Sequence, residues 1–374
     1  MPTWDVRFDL RIDTSNAALV EAVARAEALA SVIHGLPVPP HLRESLDRLN
    51  IRRAVRGTTG IEGIEVTEEE VEAILGQPDV RVLVLGRARE EQEVRNAERA
   101  MRYISDELRA DPDLPMTEAL IARVHELTTE GIGYQHNTPG VYRSQAVSAG
   151  TYVPPRTHGE VVRLMAEFAA WLRGAQSRAL PPCVRAAAAH FYFVSIHPFG
   201  DGNGRTARAL ESFLLYQARI NALGFYSLSN FYYMHRDEYV DLLDHTRFQS
   251  GGDLTPFVLF AVRGLVTELQ DVHREVSRAM SMIAFRDFAH HELLRRGKMA
   301  GKPGQRMYDL VSRLEEPVAI ADIRNGAHPL GALYRRLNAQ TLRRDIEVLR
   351  RAGLAVVEGG SIRANLEAVR QPPR

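Results

Sequence analysis

Residues 195–210 read SIHPFGDGNGRTARAL, a pattern that predicts a helix, a tight turn and a second helix. The first helix is apolar, covers residues 183–196 and stops at the His197–Pro198 pair, because the residue before a proline avoids the helical conformation. The second helix is predicted from about residue 205 to residue 220. Glycines in the turn let the backbone curl so that successive N–H groups converge. These glycines are Gly200, Gly202 and Gly204.

The residue types in and around this turn suit chemistry on a phosphate group. A glycine-rich turn that leads into a helix N-terminus binds anions. Arg205 and Arg208 lie three apart on the second helix and add two cations to one face. His197 is placed to remove a proton from an attacking hydroxyl, and Asp201 offers an oxygen ligand of the kind that Mg²⁺ takes beside phosphate oxygens. Together these groups are the components needed for attack on phosphorus.

Residues 197–205, HPFGDGNGR, resemble the signature of the Fic family, His-Pro-Phe-x-Asp/Glu-Gly-Asn-Gly/Lys-Arg, at every defined position. The resemblance implies a mainly α fold with a Fic-type helical core over residues 87–262, which binds ATP together with Mg²⁺. It implies that His197 is the catalytic base and that Asp201 holds the Mg²⁺ ion. The residues that it assigns to the nucleotide phosphates are Gly200, Gly202, Asn203, Gly204, Arg205 and Arg208.

Gly204 bears on the reaction type, because relatives with lysine at this position can turn the nucleotide and transfer phosphate instead. Glycine resembles the AMP-transferring branch of the family. We therefore expect a protein adenylyltransferase that moves AMP from ATP to a Ser, Thr or Tyr hydroxyl of a target protein or of the chain itself. Two alternatives stay open: a Fic enzyme that transfers UMP or phosphate, and a DNA-binding transcriptional regulator whose Fic core only senses a nucleotide. The family's adenine-side contacts fall on Asn230, Tyr233 and Tyr239.

Residues 141–155, VYRSQAVSAGTYVPP, alternate between apolar and polar side chains. This alternation predicts a small β-hairpin with residues 148–150 near its turn. The hairpin resembles the flap of the Fic family. An extended segment of the target protein would bind along the flap as an added strand.

Residues 58–63, TTGIEG, resemble the family's inhibitory motif, Ser/Thr-x-x-x-Glu-Gly/Asn, through Thr58, Glu62 and Gly63. A helix from about residue 41 is predicted to end near residues 57–60, so that Glu62 follows at the break. The Glu62 carboxylate is predicted to reach Arg208 and to occupy the cation that the γ-phosphate needs, which would spoil in-line geometry. The chain is therefore expected to be autoinhibited.

Residues 307–369 predict helix, short helix, helix and two strands, and the strands flank a Gly359–Gly360 turn. This order resembles a winged helix-turn-helix module whose recognition helix, at residues 338–351, is rich in arginine. Two interpretations compete: the arginines bind DNA, or the module is a wedge that docks a protein or forms a dimer.

Four segments follow from these patterns: an N-terminal helical region with the inhibitory motif (1–86), the Fic core (87–262), a helical linker (263–303) and a winged-helix-like domain (304–374). The formal net charge is zero, which indicates no overall field for nucleic acid or membrane. The single cysteine, Cys183, excludes an intrachain disulfide. With no apolar run long enough to span a bilayer, we expect a cytoplasmic protein. The family resemblance implies that the chain forms a homodimer.

Overall fold

A computed structural model describes residues 4–9, 11–77, 87–220 and 228–370, and the chain forms two compact units, Met1–His273 and Arg274–Arg374. The described residues are mainly helical, as predicted. In the first unit the helices are α1 (Ala17–His34), α2 (Pro40–Ile61), α3 (Glu68–Leu75), α4 (Ala88–Ala110), α5 (Glu118–Thr129), α6 (His158–Arg173), α7 (Ala175–Arg178), α8 (Pro182–Ile196), α9 (Asn203–Gln217), α10 (Ser229–Met234) and α11 (Arg236–Phe248). The boundary between the units falls inside α12 (Thr255–Arg295).

The division into units differs from the four predicted segments. Residues 1–77 and the predicted Fic core lie in one unit, because α2 packs on α4 and on α10. The predicted linker at 263–303 is largely the second half of α12, which continues without a break to Arg295. None of the helices in the described residues is long and apolar enough to cross a membrane.

Helices α8 and α9 form the centre of the first unit and carry the turn between them. α8 is apolar on all sides and almost all of its residues are buried, which is the pattern of a core helix. It begins at Pro182, one residue before the predicted start, and ends at Ile196, as predicted. α9 begins at Asn203, two residues earlier than predicted, because Gly202 adopts a left-handed conformation and starts the helix there.

Two glycines bring α2 into close contact with α10. A Cβ atom on Gly57 would lie 2.5 Å from the main chain of Ser229, and one on Gly60 would lie 2.5 Å from the ring of Tyr233. Larger residues would push the two helices apart. The end of α2, which carries TTGIEG, is therefore held close to α10 by these two glycines.

The predicted hairpin at residues 141–155 is reduced to one antiparallel bridge, between Ala149 and Tyr152. Proline at 154 and 155 removes the N–H groups that a second strand would use. Tyr152 also turns inward: it is fully buried, and its hydroxyl donates to the carbonyl of Ser195 (2.9 Å). We call residues 144–155 the flap from here on. The turn lies where the pattern predicted it, but the pairing is shorter than expected, because the flap is also bonded to the core through Tyr152.

The second unit contains α13 (Gly301–Val311), β1 (Val318–Ala319), α14 (Ile320–Asn325), a 3₁₀ helix (Pro329–Leu333), α15 (Ala339–Arg351), β2 (Ala355–Glu358), β3 (Ser361–Ala364) and α16 (Glu367–Arg370). The sheet is antiparallel with the order β1-β3-β2, and Val318 pairs with Ile362. The tight turn between β2 and β3 has Gly359 and Gly360 at φ of 56° and 79°, as a glycine pair at a hairpin turn requires. The predicted order of elements is present, together with the short strand β1, which the sequence pattern did not indicate.

Candidate active site

His197 ends helix α8 in a left-handed conformation, with φ 51° and ψ 58°, which is uncommon for a residue other than glycine. Its Nδ1 lies 3.4 Å from the carbonyl oxygen of Val194. Because a carbonyl can only accept, we assign the proton to Nδ1 and a free lone pair to Nε2. Burial lowers the pKa of His197 to about 4, and the charges of Arg143 and Arg247 act in the same direction. The imidazole is therefore a neutral base at pH 7.

The turn after His197 presents a helix N-terminus whose first N–H groups are open. Within the described residues, the N–H groups of Asn203 and Gly204 have no hydrogen-bond acceptor, as expected for the first turn of a helix. Two features require glycine at position 202. Its φ is 74°, and a Cβ there would lie 2.5 Å from Cγ2 of Thr129. A Cβ on Gly200 would lie 2.2 Å from the carbonyl oxygen of His136. These glycines let the turn fit its neighbours and leave an anion-binding nest.

Asn203 stabilises the shape of the turn. Its Oδ1 accepts from the N–H of Phe199 (2.9 Å) and its Nδ2 donates to the carbonyl of the same residue (3.0 Å). Its side chain is 2 % exposed. The predicted phosphate contact of Asn203 therefore has its main-chain N–H as the available donor, since the side-chain amide is already bonded to the turn.

Arg205 is buried in a network of acidic and phenolic groups. Its Nη1 donates to Oε2 of Glu93 and to the hydroxyl of Tyr134, both at 2.6 Å, and its Nη2 donates to Oδ1 of Asp201 (3.1 Å). Glu93 and Tyr134 line a pocket of about 300 Å³ together with Asp201, Arg205 and Glu62. The guanidinium is thus fixed at the wall of a pocket that opens beside the turn. Glu93 and Tyr134 have no sequence signal, because a glutamate in a charged helix is ordinarily on the solvated face.

Arg208 is bound by the predicted inhibitory motif. Its Nη2 donates to Oε1 of Glu62 (2.7 Å) and to the carbonyl of Thr58 (3.1 Å), and its Nε donates to Oγ1 of Thr58 (2.9 Å). Arg208 is 2 % exposed. Burial alone would raise the pKa of Glu62, but the charges of Arg208 and Arg205 outweigh it, so that the pKa lies below its ordinary value. The ion pair that the sequence predicted between Glu62 and Arg208 is present.

The end of α2 sets the position of the Glu62 carboxylate. The N–H of Gly63 donates to the carbonyl of Gly60, and that of Ile64 donates to the carbonyl of Thr59. This is a Schellman ending, which needs the left-handed φ of 90° that Gly63 supplies. Gly204 leaves room for the carboxylate, because a Cβ there would lie 2.7 Å from Oε1 of Glu62.

Asp201 has the geometry of a partial cation site. Its Oδ1 accepts from Arg205 and from the N–H of Gly202, while Oδ2 has no partner within the described residues. Its side chain is 42 % exposed. No group of three or more His, Cys, Asp or Glu side chains forms a metal cluster in the part of the chain that is described. Because Mg²⁺ takes few protein ligands and completes its shell with phosphates and water, one free carboxylate oxygen fits such an ion only when a nucleotide is bound.

Comparisons with known proteins agree with this geometry. Residues 115–215 match the sequence profile of the Fic/DOC family. The chain contains a Fic domain. It is 32 % identical over 275 residues to a protein adenylyltransferase Fic from Drosophila ananassae, an alignment that covers 67 % of this chain and 50 % of that protein. A protein of the same name from Culex quinquefasciatus is 32 % identical over 205 residues, covering 54 % of this chain and 38 % of that protein. The chain thus spans about half the length, or less, of the curated relatives it matches.

Solved structures share the fold of the Fic domain. A Fic family protein from Desulfovibrio desulfuricans superposes with a TM-score of 0.58 at 22 % identity, covering 93 % of this chain and 96 % of that one. Fic-1 from C. elegans superposes with the same TM-score at 24 % identity, covering 71 % and 74 %. At this level of identity the superpositions show a common fold.

The residues predicted to contact adenine are each engaged with other groups of the Fic domain. The amide of Asn230 donates to Glu268 (3.1 Å). The ring of Tyr233 packs on Gly60 and lies beneath Arg56. Tyr239 is buried, and its hydroxyl is hydrogen bonded to His190. Tyr239 is thus part of the core, while adenine contacts by Asn230 and Tyr233 stay predictions.

His125 supports the turn of the Fic domain from below. Its ring stacks on Phe199 with centroids 3.6 Å apart. Nδ1 accepts from the N–H of Gly140, so the proton is on Nε2, which donates to the carbonyl of Asp201 (2.9 Å each). Burial lowers the pKa of His125 to about 4, so both bonds persist at neutral pH.

Arg143 joins the flap to the main chain of His197. Its Nε donates to the carbonyl of His197 (2.7 Å), Nη1 to that of Gln145 (2.9 Å) and Nη2 to that of Pro155 (2.6 Å). One buried guanidinium thus connects both ends of the flap and the residue in the left-handed conformation. A lone arginine in a polar loop gave no sequence signal for this role, because its partners are carbonyls from distant positions.

Arg143→Lys is expected to lower kcat for AMP transfer about tenfold or more and to leave the KM for ATP nearly unchanged. A single ammonium cannot bridge three carbonyls, and displacement of a base by about 1 Å costs up to about 10²-fold. Initial rates should be measured in a Glu62→Gly background. Arg156→Lys, at an exposed position just beyond the flap, is the matched control. A wild-type kcat for Arg143→Lys, or a loss seen only in KM for ATP, would contradict the positioning role.

Proposed function

We propose that the chain transfers AMP from ATP to a hydroxyl group of a protein. The observation that carries the proposal is the free Nε2 of His197 next to an open helix N-terminus flanked by Arg205 and Arg208. The curated relatives named protein adenylyltransferase Fic support the same activity. Transfer of UMP or phosphate, and nucleotide sensing without turnover, are the competing functions.

In the proposed reaction, Nε2 of His197 accepts the proton of a Ser, Thr or Tyr hydroxyl. The hydroxyl oxygen attacks the α-phosphorus, a new P–O bond forms, and the bond between the α-phosphorus and the bridging oxygen to the β-phosphate breaks. Pyrophosphate leaves with the bonding electrons. The open N–H groups of the turn hold phosphate oxygens, and the arginines offset the charge of the leaving pyrophosphate.

Asp201 is the residue that would hold Mg²⁺, through its free Oδ2. When bound, the ion would neutralise phosphate charge. Arg205 keeps the carboxylate in place through its bond to Oδ1, and the main-chain N–H of Asp201 donates to Asn137. The chain's own contribution is thus an oriented carboxylate at the edge of the nest.

The flap is the proposed docking edge for the target protein. Residues 146–148 directly precede the Ala149–Tyr152 bridge and are mostly exposed, and their main-chain groups have no hydrogen-bond partner within the described residues. An extended segment could pair with these groups as an added strand. Because main-chain pairing demands little sequence, it would align a hydroxyl with His197 in many targets. A homodimer and a cytoplasmic location stay predictions.

Glu62→Gly protein with Mg²⁺ is expected to place label from α-labelled ATP on protein, and no label from γ-labelled ATP. The reason is that attack on the α-phosphorus leaves AMP on the hydroxyl and releases both outer phosphates. Autoradiography of gels with purified protein and with cell lysate measures the transfer. Label from γ-labelled ATP alone would show that the protein transfers phosphate and not AMP. Stronger label from UTP than from ATP would show that the nucleotide donor is UTP.

Nucleotide binding without transfer from any donor would favour a sensor. Calorimetry with ATP on the same preparations separates this case from a protein that binds no nucleotide at all. The assay with lysate separates it from an enzyme that only lacks its target.

A further inference from the structure

The net charge of the chain is zero, but its two units carry large net charges of opposite sign. Residues 274–374 contain 19 Lys and Arg against 11 Asp and Glu, a net charge of +8. Residues 1–273 contain 28 against 36, a net charge of −8. The overall charge therefore does not describe the second unit alone, and charge asymmetry along a chain is typical of proteins with a polyanionic partner.

Part of the uncompensated positive charge of the second unit is concentrated around the start of α15. At the other end of this helix, Arg350 and Arg351 both donate to Glu347, at 2.9 Å and 2.6 Å, so their charge is partly neutralised. Four exposed arginines near the start of α15 have no carboxylate partner within the described residues. They are Arg335, Arg336, Arg343 and Arg344.

Packing fixes which face of α15 is outward. Besides Glu347, the helix has one further acidic residue, Asp345, which is buried and bonded inward to Arg306 (2.8 Å), so it does not neutralise the exposed side. Arg343 and Arg344 lie three and four positions after the exposed Gln340, on one helix face. The face opposite is anchored in the core of the unit by Leu342, Ile346 and Leu349.

We propose that the second unit binds double-stranded DNA, with the first turns of α15 in the major groove and the four arginines on phosphates or base edges. A helix with its side chains is about 10–12 Å across, which matches a major groove about 12 Å wide. The major groove of duplex RNA is too narrow for a helix, so RNA is not the proposed partner. The hairpin β2–β3, whose exposed Gly359–Gly360 tip follows α15, is placed to contact the adjacent backbone.

The test uses full-length protein and a fluorescent 30-base-pair DNA of random sequence, with anisotropy measured from about 50 to 200 mM salt. We expect micromolar binding at the lowest salt and a steep loss with added salt, because each phosphate contact adds about 0.9 to the slope of log affinity against log salt. The double variant Arg343→Ala/Arg344→Ala should bind at least tenfold more weakly and lower the slope by about 2.

Arg350→Ala/Arg351→Ala is the matched control, since it removes the same charge from the same helix where Glu347 already compensates it. Circular dichroism should show that both variants fold. No anisotropy change at 50 mM salt would overturn DNA binding and leave an acidic protein as the partner of this face. Equal losses in the two variants, or equal binding of duplex RNA, would overturn the placement of α15 in the groove.

Discussion

Glu62→Gly is expected to raise the rate of AMP transfer about 100-fold over the wild-type chain. In the structure, Oε1 of Glu62 is 2.7 Å from Nη2 of Arg208, the cation that is predicted to bind the outer phosphates of ATP. A nucleotide that cannot bond to this arginine lies out of line for attack on its α-phosphorus, and misplacement of about 1 Å costs about 10²-fold. Removing the carboxylate frees Arg208, while Thr58 keeps the guanidinium in position.

The measurement is the initial rate of label transfer from α-labelled ATP with Mg²⁺. Glu65→Gly is the matched control, because Glu65 is an exposed acid three residues further along and forms no ion pair within the described residues. Glu62→Gln tests the charge separately and should activate only in part, since the amide still occupies the space beside Gly204. Equal rates for the wild type and Glu62→Gly would show that Glu62 does not inhibit the reaction.

Acidity should not release this restraint near neutral pH. The folded-state pKa of Glu62 is lowered, so its carboxylate stays charged, and the contact with Arg208 stays intact, at every pH above that value. The contact weakens only as the pH falls through the lowered pKa. Relief of the restraint must therefore come from movement of the Glu62 side chain or of the end of α2.

The parts of the site that lie in one short stretch could be predicted from the sequence. Helix, turn and helix around residues 197–205 follow from proline and glycine placement, and the structure agrees to within two residues at the start of α9. The contact between Glu62 and Arg208 could also be predicted, although 146 residues separate them, because a second motif marked one partner. Motifs thus identified both the local geometry and one long-range contact.

The supporting residues could not be predicted, because their roles depend on carbonyls and buried acids that only the folded chain brings together. Arg143 binds three carbonyls, and Glu93 in a charged helix reaches Arg205 across the pocket. The family resemblance predicts that Tyr239 contacts adenine, and nothing in the sequence indicates that its hydroxyl is buried and hydrogen bonded to His190. The net charge of zero hides a division of charge for a similar reason: it is the sum of two units of opposite charge, and the boundary between these units comes from the fold.

His197→Ala, in the Glu62→Gly background, is expected to lower kcat by about 10²–10⁴-fold, the usual contribution of a general base. ATP affinity should change little, because the nest is built from the N–H groups of α9 and from arginines that the imidazole does not contact. Rates from label transfer and affinities from calorimetry measure the two quantities. His34→Ala, at the exposed end of α1, is the control.

The pH profile gives an independent test of the same base. A base works in its deprotonated form, so activity is present above its pKa and lost as the pH falls through it. Because burial lowers the pKa of His197 to about 4, kcat should be nearly constant from about pH 6 to pH 8 and should fall only at lower pH. A profile that rises through about pH 6.5, the ordinary value for histidine, would show that the imidazole is solvated during catalysis. Undiminished kcat in His197→Ala would assign proton removal to another group and leave the nest and its arginines as the main source of catalysis.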